Sequence, residues 1–192
     1  MTKRRVGAAL MIGAMLLSGC TFVPTAKYPV VISPRSVPPG LLSQTIPGTN
    51  NGRVRFITQP VYIVDATGHL APSSRIVPSP PSLVTVLREL VIGPTDIENS
   101  TGYTSSLPKD LFIFEASVKN GVGSIDLAPA LSKLPRAQEV LAIGQLVYTA
   151  NDVGATNGIE ITVAGVAQRS LLPDGKTSVL VNVKDYRSLL NP

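Results

Sequence analysis

The chain's single cysteine, Cys20, and its single histidine, His69, are the side chains best equipped for nucleophilic or acid–base chemistry. A hydrolytic triad needs a histidine beside a hydroxyl and a carboxylate, and Asp65, Ser73 and Ser74 lie near His69 in sequence. No Gly-x-Ser-x-Gly elbow or comparable signature accompanies them. His69 is therefore expected to be an exposed residue after a turn. Metal chemistry is no better supplied, because one His, one Cys and no paired acidic motif fall short of the usual ligand sets. Asp65, Asp110, Asp126 and Asp174 are dispersed among turn-like and cap-like contexts, where short carboxylates accept from backbone amides. Gly93-Pro94-Thr95 lacks the spacing of a phosphate loop and follows a helical pattern instead of opening one. The expectation is a chain that is not an enzyme and has no cofactor, catalytic residues or metal site.

Cys20 has a context of its own. Lys3, Arg4 and Arg5 precede an apolar run from Val6 to Leu17, which at about a dozen residues is shorter than the ~20 needed to span a bilayer. A cationic start, a short apolar stretch and small residues at the end describe an export leader. Leu17-Ser18-Gly19-Cys20 resembles the lipobox of bacterial lipoprotein precursors. That resemblance implies that the Cys20 thiol accepts a diacylglyceryl group and that cleavage removes residues 1–19. Two or three acyl chains would then hold the protein on the extracytoplasmic face of the cell membrane.

Net charge gives no support to a nucleic-acid partner. The 17 Lys and Arg fall to 14 once Lys3, Arg4 and Arg5 leave with the leader, against 12 Asp and Glu, a net of about +2. The remaining basic residues are scattered, with no run that could track a phosphate backbone. One cysteine forbids an intrachain disulfide, so the folded part must rely on its core.

Residues 20–52 hold prolines at 24, 29, 34, 38, 39 and 47 among Ser, Thr, Gly and Asn, without a usable helical or strand period. This is a tether, with an end-to-end distance of roughly 30 Å. Residues 53–192 remain for one domain.

Within that domain, Arg53–Asp65 reads as a strand interrupted at Pro60, Thr67-Gly68 as a turn, and His69–Val77 as a more exposed strand. The segment Ser79-Pro80-Pro81-Ser82 opens a helix, with a Ser cap and Pro in the first turn. Leu83, Val86, Leu87, Leu90 and Val91 form its buried stripe, and Gly93-Pro94 stops it. Thr95–Pro108 reads as a polar loop. In Asp110–Leu127, Phe112, Phe114, Ala116 and Val118 alternate with Ile113, Glu115, Ser117 and Lys119 around an Asn120-Gly121 turn. Asp126 is expected to cap a helical turn from Ala128. A second long helix covers Pro135–Thr149 with Ala137, Val140, Leu141, Gly144, Val147 and Tyr148 on one face. Ile159, Ile161 and Val163 mark a half-buried strand, and Ser178–Val183 a last one. This order predicts an α+β domain in which two main helices pack on a mixed β-sheet.

Several of these stretches resemble a GerMN domain, the module named from spore germination proteins. They are Val61–Asp65 with Gly68 and Leu70, Leu87–Leu90 with Gly93-Pro94-Thr95, Leu107-Pro108, and Val118–Val122 with Asp126-Leu127. Gln145–Thr149, Gly158-Ile159, Val163–Gly165 and Asp185-Tyr186 continue the match, which spans roughly residues 55–187. The polar Asn99–Ser106 segment departs from the pattern. The resemblance implies a protein-interaction module of sporulation and envelope assemblies, with no agreed catalytic residues. Its expected partners are the membrane, through the lipid anchor, and envelope proteins not identified by the sequence. Binding of peptidoglycan or a small envelope molecule is the alternative, and an envelope hydrolase the third reading. Tyr62 and Tyr148 lie on apolar patterns and are expected in the core. Tyr103, in a polar stretch, and His69 are the candidate surface contacts.

Overall fold

The computed structural model describes residues 54–191, so the lipobox residues Leu17, Ser18, Gly19 and Cys20 and the 20–52 tether lie outside it. The first elements are the antiparallel strands β1 (Phe56–Val64) and β2 (Leu70–Pro78), joined at Thr67-Gly68. β1 runs through Pro60 unbroken. Its register explains why. On β1 the groups of Val64 face away from β2, exchanging hydrogen bonds of 2.9 and 2.7 Å with Thr104. Tyr62 and Pro60 share that parity, so the donor missing from Pro60 belongs to the outer edge and not to the ladder.

Helix α1 (Leu83–Ile92) starts where Ser82 Oγ accepts from the Thr85 amide at 3.3 Å, and it stops at Gly93, whose φ is +86°. Pro80 and Pro81 thus precede the cap instead of lying in the first turn. Leu83, Val86, Leu87 and Leu90 are buried, as the helical spacing predicts, whereas Val91 is half-buried. The expected loop after Gly93 contains a short helix, α2 (Asp96–Ser100). A reciprocal capping box starts it: Thr95 Oγ1 accepts from the Glu98 amide at 3.3 Å, and Glu98 Oε2 accepts from the Thr95 amide at 2.6 Å.

Strands β3 (Phe112–Lys119) and β4 (Val122–Ala128) form the expected hairpin, with positive φ at both Asn120 (53°) and Gly121 (76°). Helix α3 (Arg136–Asn151) then carries the chain to β5 (Gly158–Val163), which lies parallel to β4. On its far side β5 pairs antiparallel with β6 (Val166–Ala167) and, nearer its start, with β9 (Leu180–Val181). A small hairpin, β7 (Ser170–Leu171) with β8 (Thr177–Ser178), lies between them in sequence. The single strand expected over Ser178–Val183 is therefore two short pieces in different sheets. The architecture is α+β, with a mixed main sheet β3-β4-β5-β6 and a separate β1-β2 pair.

Helices α1 and α3 pack on one side of the main sheet and against β1. The core between them includes Ile63, Leu87, Leu90, Ile125, Leu127, Ile143, Leu146 and Ile159, each at most 1% exposed. The sequence pattern predicts a one-sided stripe on α3, but from Glu139 onward almost every residue is buried, and Ala137 is exposed. Gly144 leaves a notch filled by side chains: a Cβ there would stand 2.7 Å from Leu189 Cδ1 and 3.0 Å from Leu70 Cδ1. Tyr186 is fully buried, and its hydroxyl donates to the Leu171 carbonyl at 2.8 Å.

Polar residues inside α3 complete the outer edge of β1. Fully buried Gln145 donates to the Tyr62 carbonyl at 2.9 Å and accepts from the Ser106 amide at 2.8 Å. Fully buried Thr149 accepts from the Tyr62 amide at 2.9 Å. A Leu at 145 would fit the apolar setting but would orphan two backbone groups, each costing about 1–3 kcal/mol. Gln145→Leu should therefore lower unfolding stability by about 2–4 kcal/mol, and the nearly isosteric Thr149→Val by about 1–3 kcal/mol. Urea unfolding with an unchanged m-value checks both, and wild-type midpoints would defeat the assignment.

An ion pair ties α2 to β2. Arg75, 9% exposed, reaches Glu98 Oε1 at 3.0 Å and Oε2 at 2.9 Å, and donates to the Gly93 carbonyl at 3.0 Å. Burial alone would raise the Glu98 carboxyl, but Arg75, the Ser73 hydroxyl and the Thr95 amide together lower it from 4.5 to about 2. A folded pKa below the unfolded one gives stability that is complete above about 4.5 and is lost as pH falls towards 2. Wild type should lose up to about 3 kcal/mol more than Glu98→Gln across that window. Parallel acid-titration curves for the two proteins would contradict the pairing.

Candidate functional site

Where could this domain meet another molecule? Ile113, Ala116, Gly123, Ile125, Leu127, Ile159 and Ile161 point into the core. The opposite face of the same sheet carries exposed Glu115, Lys119, Ser124 and Glu160, with half-buried Ser117, Asp126 and Thr162. Both main helices lie on the inner side, so no helix among the described residues covers this face. A groove of about 400 Å³ runs across it between Glu115, Ser117 and Lys119 of β3, Ser124 and Asp126 of β4, and Thr162.

A bulge re-aims the start of β3. Register shifts between Ile113 and Glu115, so Ile113 and Ala116 face inward while Phe112 and Phe114 are 55% and 56% exposed. Strict alternation would put both phenylalanines on the same face as Ala116. Instead they meet edge-to-face on the surface, with ring centroids 4.9 Å apart. Phase reading could not find them, since one inserted residue reverses which face each position takes.

Acidic side chains near the groove are occupied. Asp126 Oδ1 accepts from Thr162 Oγ1 at 2.7 Å and from the Gly165 amide at 3.1 Å, and these bonds hold its carboxyl below the ordinary range. This clamp joins β4 to the β5–β6 turn and replaces the expected cap at Ala128. Asp65 works similarly in the β1–β2 turn, accepting from Thr67 Oγ1 at 2.7 Å, the Thr67 amide at 2.8 Å and the His69 amide at 3.0 Å. Those bonds, led by the Thr67 hydroxyl, lower its pKa. Asp174 accepts from the Lys176 amide at 2.9 Å and pairs with the Lys176 ammonium at 2.9 Å.

His69 is half-buried, its Nδ1 3.0 Å from Thr67 Oγ1. Ser73 is engaged by Arg75 and Glu98, so the serine nearest a catalytic reading belongs to the α2 ion pair. Tyr103 is half-buried and packs against the core instead of projecting from a loop. The segments of His69 and Tyr103 flank opposite sides of Val64, which pairs with Leu70 on one side and Thr104 on the other. They do not form one groove. Tyr148 is buried and donates to the Val183 carbonyl at 3.0 Å, with Tyr62 against it at 5.1 Å between ring centroids.

Two solved structures have a similar fold. The tandem GerMN domains of the sporulation protein GerM from Bacillus subtilis align with 68% of this chain at a TM-score of 0.53 and 16% identity. The chain spans about half of that protein, 48% of its length. The first GerMN domain of the same protein aligns over 67% of this chain and 99% of its own length, with a TM-score of 0.51 and 18% identity. Against the curated proteins the chain has no match. Residues 60–169, more than half of the sequence, match the family described as Germane: Sporulation and spore germination, and the chain belongs to that family.

Proposed function

We propose that this chain is an exported lipoprotein, anchored through acylated Cys20 and a Pro-rich 20–52 tether, whose GerMN-like domain binds envelope proteins in an assembly of sporulation, germination or cell-wall signalling. The observation that carries the binding role is the uncovered sheet face, with its groove and the exposed Phe112–Phe114 pair. Contiguous exposed apolar surface marks interaction sites, and the two adjoining rings contribute such surface beside the groove. Support for the anchor comes from the position of the chain's one thiol, directly after Leu17-Ser18-Gly19. Membership of the Germane family supports the setting, and that family is not a known enzyme family.

A second reading, recognition of peptidoglycan, is favoured by the hydroxyl and carboxylate lining of the groove. Retention of the chain on purified cell wall, with no protein crosslinks, would put it in place of the first.

Two measurements test the proposal in cells. Acyl-chain labelling of the full chain should be lost in Cys20→Ser, which should also keep residues 1–19. A photo-crosslinking side chain at Ser124, on the open face, should capture envelope protein, whereas one at exposed Arg88 on α1 should not. Equal capture at both positions would remove the face as the binding surface, and unlabelled wild type would remove the anchor.

A further inference from the structure

The main sheet ends at β3, and no strand among the described residues pairs with its outer edge. Lys119 and Val122 flank a two-residue turn and so form a hydrogen-bonded pair, as do Ser117 with Ser124 and Glu115 with Asp126. The backbone groups of Ala116 and Val118 must then point away from β4. Among the described residues no loop, cap or side chain meets them. The contrast is with β1, whose outer edge is taken up by Gln145, Thr149 and Thr104.

Side-chain charge identifies what fits this edge. Edge strands commonly carry charges that repel partners. Here Glu115 and Lys119 have opposite signs, stand four positions apart on the same face, and make no ion pair among the described residues. When two β3 strands run antiparallel with Ser117 opposite Ser117, each Glu115 faces a Lys119 of the other copy. Ala116 and Val118 then exchange backbone hydrogen bonds across the junction. The charged pairs fall at non-hydrogen-bonded sites, where Cα atoms approach to about 4.5 Å and side chains are closest. Shifting the centre to 115 or 119 sets like charges against each other, and only the centre at Ser117 sets each Glu115 opposite a Lys119.

We propose that β3 is a homotypic docking edge, through which a second copy of this chain pairs antiparallel around Ser117 and joins two main sheets into one. This interface is isologous, since the same strand serves both copies. Phe114 precedes Glu115 in the chain, so the aromatic pair stands beside each end of the shared ladder. The inference rests on the reading that this domain works through protein contacts, and it does not require the lipid anchor.

Disulfide trapping of the full chain in cells tests the register. Ser117→Cys should give a covalent dimer under a mild oxidant, because facing Cα atoms at that site lie within bridging distance. Wild type, with Cys20 alone, sets the background. Ser124→Cys should stay at that background, since two such positions are three strand spacings, about 14 Å, apart. Adding Glu115→Lys or Lys119→Glu to Ser117→Cys should cut the dimer about fivefold or more, and co-expressing the two charge variants should restore it. Dimer no greater than background for Ser117→Cys, equal trapping at 124, or indifference to the charge reversals would overturn the pairing. Those results together with intact Ser124 photo-crosslinks to other proteins would remove the homotypic edge and leave the interaction role standing.

Discussion

The backbone of Tyr62 is the point on which this fold turns. A two-stranded sheet has two edges, and β1 must bury one of them beneath a helix that can supply no ladder. Helix α3 meets that requirement with side chains, Gln145 for the carbonyl and Thr149 for the amide. Because these residues are one helical turn apart, α3 must cross β1 with that one face against Tyr62. Its other faces then meet α1, the main sheet and the C-terminal segment, and this accounts for burial on nearly every side from Glu139 onward. Gly144 follows from the same placement, since Leu70 and Leu189 take the space that a side chain there would fill.

Once α3 and α1 are committed to one side, no helix among the described residues covers the other side of the main sheet. Polar residues alternate outward along β3 and β4 for that reason: an antiparallel sheet face in water needs Glu115, Ser117, Ser124 and Asp126 where a buried face would need Val or Ile. The two sheet edges are treated in opposite ways. β1 is sealed by side-chain hydrogen bonds, while β3 has backbone groups with no partner among the described residues, beside two opposite charges. That asymmetry is what separates a structural edge from one suited to recognition.

Local signals in the sequence carry the elements that local chemistry decides. Asn120-Gly121 supplies two positive φ angles and so marks the β3–β4 turn, while Ser82 and Gly93 delimit α1 through caps that lie beside it in sequence. Failures occur where a distant group decides. Pro60 suggests a break only if its missing donor faces the ladder, which depends on register with β2. Phe112 and Phe114 follow an inward alternation that the bulge reverses. The box Thr95-x-x-Glu98 is visible in the sequence, yet five residues of helix carry too little periodicity to reveal α2, and Arg75 lies 23 positions away. Ser178–Val183 reads as one strand because β-propensity does not say which sheet each half will join. Of the candidate site, outward polar positions were legible from alternation; the aromatic pair and the open edge needed the third dimension.

Four acidic residues of this domain are spent on architecture. Asp65 closes the β1–β2 turn, Asp126 clamps β4 to the β5–β6 turn, Asp174 closes the β7–β8 loop, and Glu98 holds α2 to β2. Each has a pKa drawn downward by its hydrogen bonds or ion pairs, the direction opposite to that of a carboxyl kept protonated for proton donation. A carboxylate that already accepts backbone amides has little capacity left for a substrate proton. Glu115 and Glu160 are the exceptions on the outer sheet face, exposed and without a hydrogen bond among the described residues. The outer sheet face therefore presents, among the described residues, a strand edge, paired phenylalanines and these free charges.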